Sequence, residues 1–230
     1  MQTMKTQASR RLDVQGLRAL AVLMVVLFHA GLPVPGGFIG VDIFFVISGF
    51  VITQLLVRER EVNGRVDLRR FYLRRYKRLT PALGLMIAVV MLVMIPLGSP
   101  LGQQELAAET GIGALLLLAN FVIAASTGGY FDLRAETNPL LNTWSLSVEE
   151  QFYIVFPILL IGALSIANRR GRMPVVVIAL VTFLSLGATL LTSRGYEFDG
   201  PLQYLVGFYG PLARAWEFGI GALLVFVPRR

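Results

Sequence analysis

The feature that most constrains the fold is a series of apolar stretches, each close to the length needed to cross a lipid bilayer. A transmembrane helix needs roughly 20 mostly apolar residues. Five segments approach or reach this length, namely 17–32, 38–57, 79–97, 148–167 and 174–191, and a sixth, 204–227, carries two charges. Because backbone polar groups in lipid must be satisfied internally, these segments predict helices. The fold class expected is an all-α polytopic membrane bundle of about six transmembrane helices.

Composition excludes the other broad classes of protein. The 230 residues are 55% hydrophobic and only 15% charged, whereas soluble domains are about 25% charged. The chain has no cysteine and a single histidine, so disulfides, thiolate nucleophiles and Cys- or His-rich metal sites are not expected. We predict one transmembrane domain over 1–230, with no metal cofactor and no soluble extracytoplasmic domain.

The distribution of basic residues predicts the orientation of the bundle. Lys and Arg concentrate near the N-terminus, between Arg58 and Arg78, at 169–172 and at the C-terminal end. Short cytoplasmic loops collect such residues, and all four groups lie on one side if six helices span and 106–125 does not. We therefore interpret 106–125 as a re-entrant or interfacial helix and place the N-terminus in the cytoplasm. Because the basic groups lie at membrane edges and no nucleic-acid motif occurs, a nucleic-acid partner is not expected.

Two ionisable residues lie in the first apolar segment. Arg18 and His29 are eleven residues apart, which places them about 20° apart around a helix and roughly 16 Å apart along it. Ionisable groups inside a span are costly and are by default candidates for function. An imidazole can transfer protons or carry an acyl group, which makes Arg18 and His29 candidate catalytic residues. The structural alternatives are a snorkelling anchor for Arg18 and a hydrogen-bonded cap for His29.

The second segment begins with a Gly-rich stretch and contains two further candidates. Asp42 is predicted at a depth similar to that of His29, where it could orient or charge-stabilise the imidazole. Ser48 lies about 9 Å deeper by helical rise and could donate a hydrogen bond. The structural alternatives are a helix-dipole partner for Asp42, and close helix packing at Ser48 and Gly49.

The densest cluster of arginines precedes the third segment. It reads Leu68-Arg69-Arg70-Phe71-Tyr72-Leu73-Arg74-Arg75-Tyr76-Lys77-Arg78, and we interpret it as a loop. Arg75 and Arg78, with neighbouring Arg74, are candidates for binding the phosphates of a donor, because arginine binds phosphate bidentately. A positive-inside signal or a patch for anionic membrane lipid is the structural alternative.

A polar stretch at the entry to 148–167 supplies paired carboxylates. Ser147 and Glu150 fit a capping box, while Glu149 and Glu150 point about 100° apart on a helix. One carboxylate is expected to face the interior as a general base and the other to cap the helix. The sequence does not decide which, although Glu150 is taken as the catalytic candidate. Trp144, Glu149, Tyr153 and the intramembrane Glu217 are further candidates for substrate-binding or structural roles.

Together these motifs resemble the acyltransferase 3 family of bacterial inner-membrane O-acyltransferases. The resemblance rests on five motifs in order over almost the whole chain: the Arg-x10-His pair at Arg18 and His29, the stretch from Gly37 to Phe50, the Arg-x-x-Arg motif at Arg75 and Arg78, the run from Trp144 to Tyr153, and Arg214-Ala215-Trp216-Glu217.

This resemblance implies transfer of an acyl group, usually acetyl from acetyl-CoA, from the cytoplasm to a hydroxyl on the outer side. The acceptor implied is a surface glycan such as a lipopolysaccharide, exopolysaccharide or peptidoglycan sugar. In family terms the Arg-x10-His pair is catalytic and the Arg-x-x-Arg motif is associated with the donor. His29 would activate the acceptor or carry the acyl group, with Asp42 and Glu150 assisting.

The family domain normally has about ten spans, so the chain is expected to be truncated on its C-terminal side. It would then be a fragment, a natural truncation or an inactive copy. The competing hypothesis is a non-catalytic fragment or a transporter-like membrane protein of the same fold.

Overall fold

The computed structural model describes residues 11–99, 102–127, 137–166 and 172–228. Nine helices are found among them and no strand. They are α1 (Leu12–His29), α2 (Ile39–Asn63), α3 (Leu68–Leu97), α4 (Gln103–Leu115), α5 (Ala119–Thr127), α6 (Thr143–Ile166), α7 (Met173–Ser193), α8 (Leu202–Val206) and α9 (Pro211–Leu224).

Five of these helices are long and apolar enough to cross a membrane: α1, α2, α3, α6 and α7. Each overlaps one of the five apolar segments, which confirms the predicted all-α membrane bundle. Many of their large apolar side chains face outward, such as Leu20 on α1 and Leu92 on α3. Such exposure would be unfavourable in water but is the expected state of a surface in contact with lipid.

The segment 106–125 is not one continuous helix. It falls in α4 and α5, which are separated by a turn where Leu117 has a φ of +61°. Neither helix is long enough to span a bilayer alone. The structure therefore gives two short helices where one was predicted, and the re-entrant or interfacial position of the segment stays a prediction.

The prediction of one continuous sixth helix over 204–227 is wrong, because this segment contains two helices separated by a turn. The short helix α8 ends at Val206, and α9 begins at Pro211. Proline lacks the backbone N–H that a continuing helix would need. A side chain at Gly210 would collide with the carbonyl oxygen of Leu205, so the chain makes its close turn there with glycine.

The arginine-rich segment is helical rather than a loop, which corrects the sequence interpretation. Helix α2 ends at Asn63 and is followed by Gly64, which has a φ of +71°. Helix α3 starts immediately after Asp67, whose carboxylate caps it by accepting a 2.9 Å hydrogen bond from the Arg70 backbone N–H. Arg75 and Arg78 are therefore fixed one turn apart on α3.

Glycines allow α9 to pack closely against α2 and α7. A Cβ at Gly221 would collide with the Val46 carbonyl of α2, and one at Gly49 with the Phe218 carbonyl of α9. A Cβ at Gly219 would collide with Thr182 of α7. Close helix packing, which was the structural alternative for this position, is therefore what Gly49 provides. Helix α1, by contrast, packs mainly on α2.

The two ends of the bundle differ in charge. Arg60 of α2 donates a 2.9 Å hydrogen bond to the Leu164 carbonyl near the C-terminus of α6, and Tyr72 of α3 bonds the Ile154 carbonyl at 2.9 Å. These contacts place the end of α2 and the start of α3 toward the end of the bundle where α6 finishes, here called the basic end. The starts of α2 and α6 lie at the opposite end, called the far end. Residues Lys5, Arg10, Arg134, Arg169, Arg170, Arg229 and Arg230 lie outside the described residues.

Candidate active site

A cavity of about 270 Å³, called the α1 cavity, lies between α1, α2 and the first turns of α6. Its walls are mainly apolar and include Val22 and Val25 of α1 and Phe44 of α2. The carboxylate-bearing Glu149 of α6 also lines it. An apolar cavity bordered by one acidic side chain is the usual chemistry of a small-molecule site.

The Arg18 and His29 positions flank this cavity along α1. Val22 and Val25 lie between them on the same helical stripe, since each is separated from the next by three or four residues. Arg18 is half-buried, with its guanidinium 5.0 Å from the ring centre of Phe44. His29 is exposed at the last turn, and its Nδ1 lies 2.8 Å from the Val25 carbonyl oxygen. Because a carbonyl only accepts, Nδ1 carries a proton, which leaves the lone pair of the neutral ring on Nε2.

The polar centre beside the cavity is organised by Glu149, which is 5% exposed. Ser48 and Tyr153 both donate hydrogen bonds to Glu149 Oε1, each at 2.5 Å. The prediction that Ser48 donates a hydrogen bond is thus confirmed. Two hydroxyl donors hold one oxygen of a buried carboxylate in a fixed position, as burial of a charged group requires.

The second carboxylate, Glu150, is held by Arg75 of α3. Arg75 Nε lies 2.8 and 2.7 Å from the two Glu150 oxygens, and one terminal nitrogen lies 2.6 Å from Glu150 Oε1. The same guanidinium is 3.9 Å from Glu149 and stacks 3.3 Å from the centre of the Tyr153 ring. One cation therefore serves two buried carboxylates.

The predicted capping role for one of the two glutamates is wrong. Helix α6 begins at Thr143, so Ser147 lies one turn inside it and its Oγ accepts a 3.3 Å hydrogen bond from the Ala119 backbone N–H. Because the helix starts a turn earlier than expected, no exposed amides remain at Ser147 for Glu150 to cap. Both Glu149 and Glu150 face the interior, and Glu149 is the one that borders the α1 cavity.

A second charge cluster joins α2 to α9. Arg214 Nη1 lies 3.0 Å from Asp42 Oδ1 and 3.0 Å from Glu217 Oε1. Glu217 is 1% exposed, and its Oε2 has no hydrogen-bond partner among the described residues. The Arg214 guanidinium also lies 4.5 Å from the ring centre of Phe208 and 5.4 Å from that of Trp144.

The expected pairing of Asp42 with His29 is not observed. Gly40 lies against the Ala21 carbonyl, Phe44 contacts Arg18, and Gly37 lies beside Phe28. These contacts put Asp42 about level with Ala21, roughly two turns deeper than His29. The prediction that Asp42 and His29 lie at a similar depth is therefore wrong. Within the described part of the chain, no hydrogen bond joins Asp42 to His29.

The remaining predicted site residues separate into exposed and buried ones. Arg74 and Arg78 are exposed on α3, whereas Arg75 is half-buried and turned toward Glu150. Trp144 is 3% exposed and packs edge-on against Tyr209, with ring centres 5.5 Å apart. The buried arrangement supports a structural role for Trp144.

Arg214 is the site residue that sequence reasoning did not assign. It is a charge inside an apolar segment, and its spacing of three from Glu217 is a signal from which a pair on one helix face could have been predicted. Its partner Asp42 lies 172 residues away. A single sequence contains no signal for that long-range contact.

Comparison with known proteins identifies the family of the chain. The model of the acyltransferase 3 family, described as an acyltransferase domain, matches residues 11–230. The chain belongs to this family. The five apolar helices and the family membership together make it a multi-pass membrane protein.

Named relatives support the same assignment. The peptidoglycan O-acetyltransferase OatA of Listeria monocytogenes is 35% identical over 216 residues, which cover 94% of this chain and 33% of OatA. YrhL of Bacillus subtilis, named provisionally as a peptidoglycan O-acetyltransferase, is 37% identical over 229 residues, covering 97% of this chain and 34% of YrhL. The chain spans about a third of the length of these relatives. No solved structure gave a significant match.

Proposed function

We propose that this chain carries the membrane acyl-transfer site of an O-acetyltransferase in the bacterial inner membrane. The donor is acetyl-CoA on the cytoplasmic side, which is the basic end, and the acceptor is a hydroxyl group of a cell-surface glycan on the opposite side. Family membership and the names of the relatives support acetyl transfer. The observation that carries the proposal is the α1 cavity, which lies on the Arg18–His29 stripe and is bordered by Glu149.

The proposed reaction is direct transfer from the thioester to the hydroxyl. His29 Nε2 takes the proton from the acceptor hydroxyl while the oxygen of that hydroxyl attacks the thioester carbonyl carbon. The carbon–sulfur bond then breaks, and the leaving thiolate of CoA takes a proton from the imidazolium. The products are an acetyl ester and CoA as the free thiol. The hydrogen bond from Nδ1 to the Val25 carbonyl selects the tautomer that this step needs.

The carboxylates differ in role because only one of them borders the cavity. Glu149 offers negative charge at the cavity wall, where it stabilises positive charge that develops in the cavity. Glu150 is occupied by Arg75, so it acts as a positioning residue for α3 and α6. This exchanges the roles that the sequence had suggested for the two glutamates.

Donor recognition is proposed for the exposed arginines of α3. Arg74 and Arg78 present exposed guanidinium groups on α3, where they can pair with the phosphates of CoA. Arg75 is not available in the same way, since its guanidinium is bonded to Glu150 and stacked on Tyr153. The α1 cavity lies just below the range of roughly 300–1,000 Å³ typical of drug-sized ligands, which suits an acyl thioester end rather than a whole nucleotide.

Inverted inner-membrane vesicles provide a direct test, because their outer surface is the cytoplasmic face. Radiolabelled acetyl-CoA added outside should yield labelled glycan inside vesicles that contain the full chain. His29→Ala should lower the rate at least about 100-fold, the usual contribution of a general base. Leu23→Ala, an exposed substitution elsewhere on α1, is the matched control and should leave the rate unchanged.

Two outcomes would contradict the proposal. Wild-type transfer rates in the His29→Ala vesicles would remove the histidine from the mechanism. Absence of labelled glycan with correctly inserted wild-type chain would instead support the non-catalytic alternative.

A further inference from the structure

A second, larger cavity opens at the far end of the bundle. It has a volume of about 670 Å³ and is enclosed by the end of α5, the end of α7, the segment 196–199, α8 and the segment 207–210. Helix α7 starts at the basic end, at residue 173, and reaches this cavity after 21 residues. This far-end cavity is therefore separated from the basic end by the length of a membrane-spanning helix.

The lining of the far-end cavity combines aromatic rings with hydrogen-bonding groups. Tyr196, Tyr204 and Phe208 line it and are all exposed. Glu197, Asp199 and Gln203 line it as well. Aromatic rings provide flat apolar surfaces, while carboxylates and amides accept or donate hydrogen bonds in fixed directions.

This combination matches the surface of a sugar. A pyranose ring has an apolar face of C–H groups, which packs on an aromatic ring, and a rim of hydroxyl groups, which donate to carboxylates. The volume lies within the range of ordinary ligand sites, so it can hold one or two sugar rings. A lone acidic cluster would not specify such a ligand; the aromatic surfaces do.

Charge excludes the donor as the occupant. The described lining residues include two carboxylates, at Glu197 and Asp199, and no Lys or Arg. A phosphate-rich ligand such as CoA would meet repulsion there. The same repulsion disfavours an anionic lipid headgroup, so an uncharged, hydroxyl-rich ligand fits best.

The far-end cavity leads directly to the second charge cluster. Phe208 lines the cavity and also lies 4.5 Å from the guanidinium of Arg214. Arg214 in turn holds Asp42 and the buried Glu217, whose second carboxylate oxygen has no partner among the described residues. A ligand in this cavity would therefore sit one side chain away from a buried polar group with unused hydrogen-bonding capacity.

We propose that the far-end cavity binds the acceptor, as an uncharged oligosaccharide stacked on Tyr204 and Phe208 and hydrogen-bonded by Asp199. This inference rests on the proposed function and adds to it the location and chemical class of the acceptor. It assigns the two cavities to different substrates: the α1 cavity to the acyl thioester and the far-end cavity to the sugar.

Binding of N-acetylchitotetraose, an uncharged sugar, to the full chain in lipid nanodiscs tests the proposal. Saturable binding is expected, with acetyl-CoA unable to displace the sugar. Tyr204→Ala should weaken binding about tenfold, the effect of losing one aromatic platform, and Asp199→Asn should weaken it as well. The matched controls are Tyr76→Ala, an exposed tyrosine on α3, and Asp13→Asn on α1; both should bind as wild type.

Tyr204→Phe separates a lost binding surface from a damaged fold, because it keeps the ring and should retain most of the affinity. Absence of saturable binding to the wild type would overturn the proposal, as would Tyr204→Ala binding as tightly as wild type. The second result would mean that the exposed aromatics only anchor the bundle at the membrane interface.

A parallel measurement of acetyl-CoA breakdown without glycan distinguishes this failure from failure of the proposed function. Donor breakdown that depends on His29 without sugar binding would overturn only the acceptor site. Sugar binding without any donor breakdown would support the acceptor site and count against the transfer reaction.

Discussion

The ion pair between Arg75 and Glu150 should be strongly coupled, because both side chains are largely buried. Glu150→Leu removes the main partner of the Arg75 guanidinium, and the Arg75 side chain is only 23% exposed. Breaking a buried pair by removing one member costs about 3–5 kcal/mol, because the other charge is left uncompensated. Glu149 remains 3.9 Å from Arg75 and keeps part of the compensation. We therefore expect a loss near the lower limit, about 3 kcal/mol.

Arg75→Met should cost more than Glu150→Leu. It leaves both Glu149 and Glu150 buried without their shared cation, so the loss should approach about 5 kcal/mol. The double variant should be more stable than either single variant, since replacing a buried pair by apolar side chains is often neutral. Glu149 keeps its hydroxyl donors Ser48 and Tyr153 in that variant.

The free energy of unfolding can be followed by intrinsic fluorescence during titration with SDS in mixed micelles, because both tryptophans, Trp144 and Trp216, lie in helices of the bundle. Arg58→Met and Glu105→Leu, alone and combined, serve as controls at exposed positions and should each change stability by less than about 0.5 kcal/mol. If the double variant at Arg75 and Glu150 loses the sum of the two single losses, the two residues are independent and the reasoning fails.

Two other predictions use the same titration. Gly221→Ala should destabilise the chain by about 1–3 kcal/mol, because the added Cβ would collide with the Val46 carbonyl, whereas Gly84→Ala, with open space at its Cβ, should be neutral or slightly stabilising; equal effects would refute the packing argument. Arg214→Met should cost about 3–5 kcal/mol, and adding Glu217→Leu should restore at least about 1 kcal/mol by removing a buried carboxylate. No recovery in that double variant would show that Arg214 does not compensate Glu217.

Much of the membrane architecture could be predicted from the sequence. Apolar length alone identified five spans, since a helix in lipid must be long enough and apolar enough whatever its neighbours are. The helix ends were less well predicted. Helix α3 starts eleven residues before its apolar part, because Asp67 caps a basic first turn that hydropathy alone does not distinguish from a loop.

The candidate site was predicted in part. Helical periodicity correctly placed Arg18 and His29 on one stripe, and it gave Ser48 a position from which to donate a hydrogen bond. It could not assign Glu149 and Glu150, because periodicity fixes angles only around a helix's own axis. The positions of α3 and α2 around α6 determine which carboxylate binds Arg75 and which one borders the cavity.

The sequence by itself therefore determined which segments enter the membrane and which charged side chains they carry there, because both follow from local apolar length and composition. Only the tertiary structure decided the partners of those charges. A buried carboxylate must find a donor or a cation, and the available ones lie on helices distant in sequence: Asp42 meets Arg214 across 172 residues, and Arg75 meets Glu150 across 75. Those pairings give the two glutamates different roles: Glu150 binds Arg75, and Glu149 lies at the wall of the α1 cavity.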